Sequence, residues 1–535
     1  MIALRRKALP RWTIAGILLI AGACAPVTQA SGDGSSGSSG KSADRVLTFA
    51  FESIRDRYLT DVRVDQLALE GMRGLSAIDP ALTIQQGETG RIFVKYQDRQ
   101  AAEYAPPAGD DSRAWAGLIM ALAKDAQTLS PPMAKAGDEK IYEAVLDAVL
   151  AKLDIFSRYA GRAEAADHRA ARNGFGGIGV RYDVHPEDIV LTEVLPDTPA
   201  ATAQLKVGDH VTAVDGLPLA GLDQNEISHR LRGPVSSLVA LTLRRGGDQP
   251  PSSLTLRRGH IVPQTVTMDI KDGIATIAIA SFNQDTAANV TRGVVAAKAS
   301  PGFKGVVLDL RGNPGGLLDQ GVAVADLFMD HGRIVSTRGR HPASMQIYDA
   351  KPGDAGEDVA LAVLVDGKSA SAAEIVASAL QDAGRAVVVG TNSFGKGTVQ
   401  TVIRMPNDGE MTLTWSRFFS PSGYALHGLG VLPTVCTADE HADVKALLAS
   451  LSVEQSVVPA EIAGWRAVAV DAGESRGKMR ATCPAAKHAG AGAAVDAAVA
   501  RQILEDRGLL AQALALTTPV ATASSDHLPG SLQAR

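Results

Sequence analysis

A multidomain α/β architecture is predicted by three features of the 535-residue sequence. Short apolar runs such as Val359 to Val365 end in glycine turns and pass into helical spacing, the pattern of strands buried on both faces. Residues 173–260 instead carry alternating strands between glycine-rich turns. Residues 43–172, ahead of them, are mostly helical by pattern. Hydrophobic residues make up 45% of the chain, enough for a large core, and the net charge of −5 offers no general attraction to nucleic acid.

Taken in order, residues 1–30 read as an export signal. Arg5, Arg6, Lys7 and Arg11 precede the apolar stretch Trp12 to Ala23, which is short for a membrane span and ends in small residues. Ile20-Ala-Gly-Ala-Cys24 resembles a bacterial lipobox, which makes Cys24 the candidate lipidated residue. Ordinary signal-peptidase cleavage after Ala23 or Ala30 is the alternative. The expected location is the periplasm or cell envelope, either soluble or held to the membrane by lipid. Residues 31–42 form a Gly/Ser-rich tether. In residues 43–172, Val46, Phe49, Ile54 and Tyr58 fall near helical spacing.

The next module, residues 173–260, has a readable element order. Gly174-Phe-Gly-Gly-Ile-Gly-Val180 opens a strand, and Pro199 to Asp209 reads as a short helix and turn. Val211 to Gly216 is a strand leading to a hairpin. Asp223 and Glu226 make a capping box for a helix reaching Leu231, and Leu238 to Leu243 alternates as a strand. This order resembles a PDZ domain. The resemblance implies that Gly177, Ile178, Gly179 and Val180 form a loop holding the terminal carboxylate of a peptide added as a strand to the sheet edge.

Residues 261–436 carry the candidate chemistry. Gly305 to Leu310 reads as a buried strand, and the glycines of Arg311-Gly-Asn-Pro-Gly-Gly316 leave backbone N–H groups unobstructed. Ser371 follows the strand Val359 to Val365 and a turn. Behind it, Ala372, Ile375, Val376, Ala379 and Leu380 recur at helical spacing until Gly384. The serine thus sits at a helix N-terminus, where free N–H groups can hold an oxyanion. Its hydroxyl needs a base, and the stretch from Asp366 to Gln400 has no histidine. Lys396 can serve if its pKa is lowered far below its ordinary value, which burial does. Gly395 and Gly397 allow a tight turn around it, Phe394 and Val399 are expected to dry it, and Gln400 can orient the amine. A simple N-cap serine is the bland alternative. A phosphate-binding loop is disfavoured, because Gly397 stands where a hydroxyl is required and the residues after it alternate like a strand.

Ser369-Ala-Ser371-Ala-Ala-Glu374, Leu380-Gln-Asp382, Phe394-Gly-Lys396-Gly-Thr-Val-Gln400 and the Arg311 to Gly316 turn together resemble the carboxyl-terminal processing peptidases of family S41. The resemblance implies a ββα-superhelix core of the crotonase and Clp kind with an inserted PDZ domain and an N-terminal helical region. It also implies a serine endopeptidase with Ser371 as nucleophile, Lys396 as general base and Gln400 in support. Asp382 matches a position sometimes grouped with these, although its place at the far end of the helix suits a structural role. The oxyanion donors would be the amide of Ala372 and that of Gly315 or Gly316. Two departures stand out: Ala373 replaces a serine, and Leu153-Asp-Ile-Phe-Ser-Arg-Tyr159 lacks the family's Pro-His pair. Expected partners are protein substrates with exposed apolar C-termini. An envelope adaptor protein and a homo-oligomer are also compatible.

Residues 437–535 are expected to form an extension, with a helix from Asp496 to Leu516 and a mobile tail from Thr517. Cys436 and Cys483 can pair in an oxidising compartment or stay as buried thiols. The histidines show no metal-ligand spacing, so no metal or cofactor is expected. Two other classes remain: a catalytically silent PDZ adaptor, which has no need of both Ser371 and Lys396, and an acyl-CoA hydratase-like enzyme, which leaves the lysine motif unexplained.

Overall fold

The computed structural model describes residues 39–517 apart from 246–249, 440, 452–455 and 487–490. The export signal, with Cys24, and the tail beyond Thr517 lie outside the described residues.

The continuous apolar runs become the middle of a mixed sheet in the order Val266–Lys271, Ile274–Ile279, Gly305–Asp309, Leu361–Val365, Val387–Gly390 and Val435–Cys436. The first pair is antiparallel and the rest are parallel. Both faces are covered, as such runs require. Val306, Leu308, Val363 and Val388 point to a core shared with the helices Thr286–Lys298, Leu318–Asp326 and Ala372–Asp382. Val307, Ala362, Leu364 and Val389 point the other way, against Leu451, Val499, Ile503 and Ala513. The C-terminal segment is therefore the second cover of the sheet. The single helix expected there is two, Ala491–Glu505 and Arg507–Ala515. The break is at Asp506, whose carboxylate caps the second by accepting from the N–H groups of Gly508 and Leu509. Thr517 is itself buried.

A second sheet, ordered Gln346–Asp349, Arg333–Gly339, Glu410–Phe419 and Thr398–Arg404, stands beside the first. Its register shifts between Val399 and Gln400, a bulge that re-aims the strand next to Lys396. The N-terminal region is mostly helical, as its pattern suggests, but not wholly so. Besides its helices it contains a three-stranded antiparallel sheet, Leu82–Gln86, Ile92–Tyr96 and Arg99–Tyr104. Gln97 and Asp98 take positive φ in the second hairpin turn, and Ile92 and Val94 alternate inward. Helical propensity of the flanking segments masked a short local alternation. The core of this region is completed by Ile403, Met411 and Leu413 from the second sheet.

Between these lies a domain with its own core and a five-strand path ending at the edge strand Val180–Val184. The expected capping box is present: Asp223 Oδ1 accepts from Glu226 N–H at 2.9 Å, and Glu226 Oε2 from Asp223 N–H at 3.3 Å. Among the described residues no helix is long and apolar enough to cross a membrane.

Candidate active site

One open cleft of about 520 Å³ brings together Ser371, Ala372, Gly315, Gly316, Lys396 and Gln400. These residues come from three separate loops. The turn after Gly305–Asp309 is bonded to the turn before Ser371: Ala370 N–H donates to Asn313 O at 2.9 Å, and Gly312 N–H to Asp366 Oδ1 at 2.9 Å. The buried Ser369 hydroxyl donates to Leu310 O at 2.8 Å. A Cβ on Gly315 would lie 2.7 Å from that of Ser371, so only glycine permits this approach.

Ser371 has φ 58° and ψ −117°. An ordinary N-cap is extended, so this backbone is strained in a way that a capping serine has no need for. The strain is supported by Glu374, which is wholly buried. Its Oε2 accepts from Ser371 N–H at 2.8 Å and Lys396 N–H at 2.9 Å. Its Oε1 accepts from the Ser393 hydroxyl and from Gly395 N–H, both at 2.6 Å. One carboxyl thus ties the serine's backbone to the lysine's. Burial pushes its pKa up, while the four donors pull it down. Glu374 is part of the serine motif, yet this role needs the fold to be seen.

Lys396 is half-buried, with its pKa lowered first by desolvation and then by the Arg158 charge, against opposing pulls from Glu374 and Asp154. The ring that covers its amine is Phe156, with Nζ 5.2 Å from the centroid. Phe394, expected in that role, is 48% exposed. Phe156 belongs to the Leu153 to Tyr159 segment that lacks Pro-His. The two glycines serve different ends. Gly395 takes φ +88°, whereas a Cβ on Gly397 would fall 1.9 Å from His427 N. Gln400 donates its amide nitrogen to Thr398 Oγ1 at 2.9 Å and Thr414 Oγ1 at 3.3 Å. Ser371 Oγ and Lys396 Nζ share the cleft without a hydrogen bond between them.

The two candidate glycines are not equivalent. Gly315 N–H is taken by Asn313 Oδ1 at 2.8 Å. Its flat contact with Ser371 is steric. Gly316 N–H and Ala372 N–H have no hydrogen-bond partner among the described residues and line the cleft. Asp382 lies away from it, where its carboxylate holds Arg466 at 2.6 Å and Ser422 Oγ at 2.7 Å.

A second, smaller and mainly apolar groove of about 210 Å³ runs between the edge strand Val180–Val184 and the helix Gln224–Leu231. Gly177, Ile178, Gly179 and Val180 line it. Gly179 takes φ +84°, and a Cβ there would meet Thr198 at 2.3 Å. At one end, the Arg232 guanidinium sits 4.3 Å over the Phe175 ring. Elsewhere, Cys436 and Cys483 form a disulfide with Cα atoms 5.9 Å apart. Among the described residues no acidic, histidine or cysteine cluster could hold a metal ion.

The pattern described as peptidase family S41 matches residues 273–437, and that of the PDZ domain matches residues 176–256. A carboxy-terminal-processing protease of Bartonella bacilliformis is 37% identical over 302 residues, covering 56% of this chain and 70% of the relative. A probable CtpA-like serine protease of Staphylococcus haemolyticus is 32% identical, covering 55% of this chain and 59% of the relative. Among solved structures, a photosystem II D1 C-terminal processing protease aligns at 24% identity over 73% of this chain and 92% of its own, with a TM-score of 0.37. The chain belongs to peptidase family S41 and is a serine-type peptidase of mixed α/β architecture that carries a PDZ domain.

Proposed function

We propose that this protein is an exported endopeptidase that cleaves protein substrates near their C-termini by a Ser-Lys mechanism. The observation that carries the reading is the single cleft holding a strained serine, a desolvated lysine and two unbonded amides. Lys396, whose neutral form is favoured by partial desolvation, takes the proton of Ser371 Oγ as this oxygen attacks the scissile carbonyl. The contact between them closes when substrate fills the cleft, since catalytic hydrogen bonds are often long in the empty site. The developing oxyanion is held by the N–H groups of Gly316 and Ala372. The lysine then gives its proton to the leaving amine, and water deacylates the serine with the same lysine as base. Gln400, with its nitrogen engaged by Thr398 and Thr414, has Oε1 left to orient the amine.

The groove along Val180–Val184 supports recognition of an apolar C-terminal tail as an added strand, with the amides of residues 177–180 receiving its carboxylate. We read the chain as a signal (1–30), tether (31–42), N-terminal region (43–172), PDZ domain (173–260), peptidase core (261–436) and C-terminal segment (437–535). Attachment through Cys24, or soluble release into the periplasm, follows from the leader. Wild type and Ser371→Ala, each incubated with an unfolded protein bearing an apolar C-terminal tail, test the reading by mass spectrometry of fragments. Cleavage by wild type alone is expected. Equal cleavage by Ser371→Ala removes the serine assignment, and tail binding without cleavage by either protein turns the reading towards an adaptor.

A further inference from the structure

We propose that Arg480, in the last turn of the helix Gly473–Arg480, is a positioning residue for the Lys396 loop, and that the Cys436–Cys483 bridge holds it in place; this rests on the assignment of Ser371 and Lys396 as the catalytic pair. The helix lies beyond residues 273–437, the part of the chain that matches the peptidase family.

The guanidinium donates to two carbonyls at once, Nη1 to Leu429 O and Nη2 to Ser393 O. Ser393 is the residue whose hydroxyl donates to Glu374 Oε1, and Glu374 in turn holds the N–H groups of Ser371 and Lys396. A Cβ on Gly395 would lie 3.1 Å from Arg480 Nη1, so the guanidinium lies close against the loop one residue before the lysine. Its charge also faces the Glu374 carboxyl. A planar group with donors on two edges can tie the glycine-containing lysine loop to the neighbouring turn at Leu429. A lysine's point charge spans such a pair less well.

The neighbouring chain reinforces this contact. Arg476, one turn earlier, donates through Nη2 to Ala425 O and His427 O, both at 2.6 Å. His427 is the residue whose backbone packs against Gly397. Three residues after Arg480, Cys483 is bonded to Cys436 on the strand paired with Val387–Gly390, the strand that feeds the lysine loop. Ala486 O then accepts from Gly367 N–H at 2.7 Å and Thr391 Oγ1 at 3.1 Å, one contact on each of the two loops that carry Ser371 and Lys396. The segment from Arg476 to Ala486 thus grips the site from behind without entering the cleft.

The test compares full-length wild type, Arg480→Met, Arg480→Lys and Lys396→Ala on a short peptide substrate. It measures kcat, KM, the pH profile and the thermal midpoint, and it repeats the wild-type profile before and after reversible thiol reduction. With Arg480→Met, kcat should fall at least about tenfold with KM nearly constant, within the loss that small misplacements of reacting groups cause. The acid limb of the profile should move to higher pH as water reaches the amine between Phe156, Arg158, Asp154 and Glu374. Arg480→Lys should recover part of both effects. Reduction should move the limb the same way, and reoxidation should restore it. If Arg480→Met fails to fold, Arg480→Lys and the reduction experiment decide. A lower thermal midpoint with an unmoved limb would show a merely structural helix and overturn the proposal, as would an unchanged kcat. Lys396→Ala separates the two levels: if it keeps near-normal activity the catalytic pair is wrong, whereas if it is inactive and the limb stays fixed only the Arg480 inference fails.

Discussion

Glu374→Gln tests the tie between serine and lysine with almost no change in volume. The carboxyl accepts four donors with two oxygens: Ser371 N–H and Lys396 N–H on Oε2, the Ser393 hydroxyl and Gly395 N–H on Oε1. A glutamine has one oxygen, so its NH₂ must face two of these donors. The cheaper orientation points NH₂ toward Ser393 and Gly395, because a hydroxyl can turn round and accept while a backbone N–H cannot. Gly395 N–H is then buried without a partner, at about 1–3 kcal/mol. The bonds from Ser371 and Lys396 also lose the charge that roughly doubles their strength. Together these give a loss of about 2–4 kcal/mol in unfolding free energy. Urea unfolding should show a lower midpoint with an unchanged slope. Because the two weakened bonds come from the amides of the reacting residues and the unpaired amide of Gly395 adjoins Lys396, kcat/KM on a short peptide should fall at least about tenfold, about 1.4 kcal/mol at the transition state. Stability within about 0.5 kcal/mol of wild type together with unchanged kcat/KM would refute the idea that this carboxyl sets the geometry.

Activity should rise with pH along a limb set by Lys396, because the neutral amine is the working form and burial lowers its pKa. Phe156→Ala admits water to Nζ, raises that pKa and moves the limb to higher pH; an unmoved limb would show that the ring does not dry the amine. Gly397→Ala places a methyl 1.9 Å from His427 N, so the loop must move, and a loss of several kcal/mol in stability or of nearly all turnover is expected. Gly179→Ala forces a side chain onto φ +84° and against Thr198, so binding of a tailed peptide measured by calorimetry should weaken while hydrolysis of a short untailed peptide stays near wild type. Asp382→Ala leaves Arg466 without its buried partner, and the expected loss of about 3–5 kcal/mol in unfolding free energy should come with little change in KM.

Much of the fold was legible because its signals are local. Buried parallel strands read as apolar runs, the capping box at Asp223 and Glu226 is a four-residue pattern, and Gly384 stops the helix after Ser371 with φ 63°. Ser371, Lys396 and Gln400, which line one cleft, could be singled out as candidates for the same reason, since each lies in a short motif whose neighbours suit the chemistry. The strands Leu82–Gln86, Ile92–Tyr96 and Arg99–Tyr104 were not read. Their alternation is brief and set among helices, and their stability comes from packing against distant helices rather than from propensity.

By itself the sequence determined that a serine at a helix start and a glycine-flanked lysine lie downstream of buried strands, and that a glycine-opened module with the element order of a PDZ domain precedes them. Tertiary structure alone decided how these parts act on one another. Gly316 rather than Gly315 has a free amide because Asn313, folded back from the same turn, takes the other. Phe156 rather than Phe394 covers the lysine because a segment 240 residues away in the sequence crosses it. The C-terminal helices became the cover of the sheet's second face because that face of a parallel sheet must be buried by something. Periodicity and motif spacing report on neighbours along the chain. Which carbonyl meets which guanidinium depends on closing loops of many residues, and no short window of sequence contains that information.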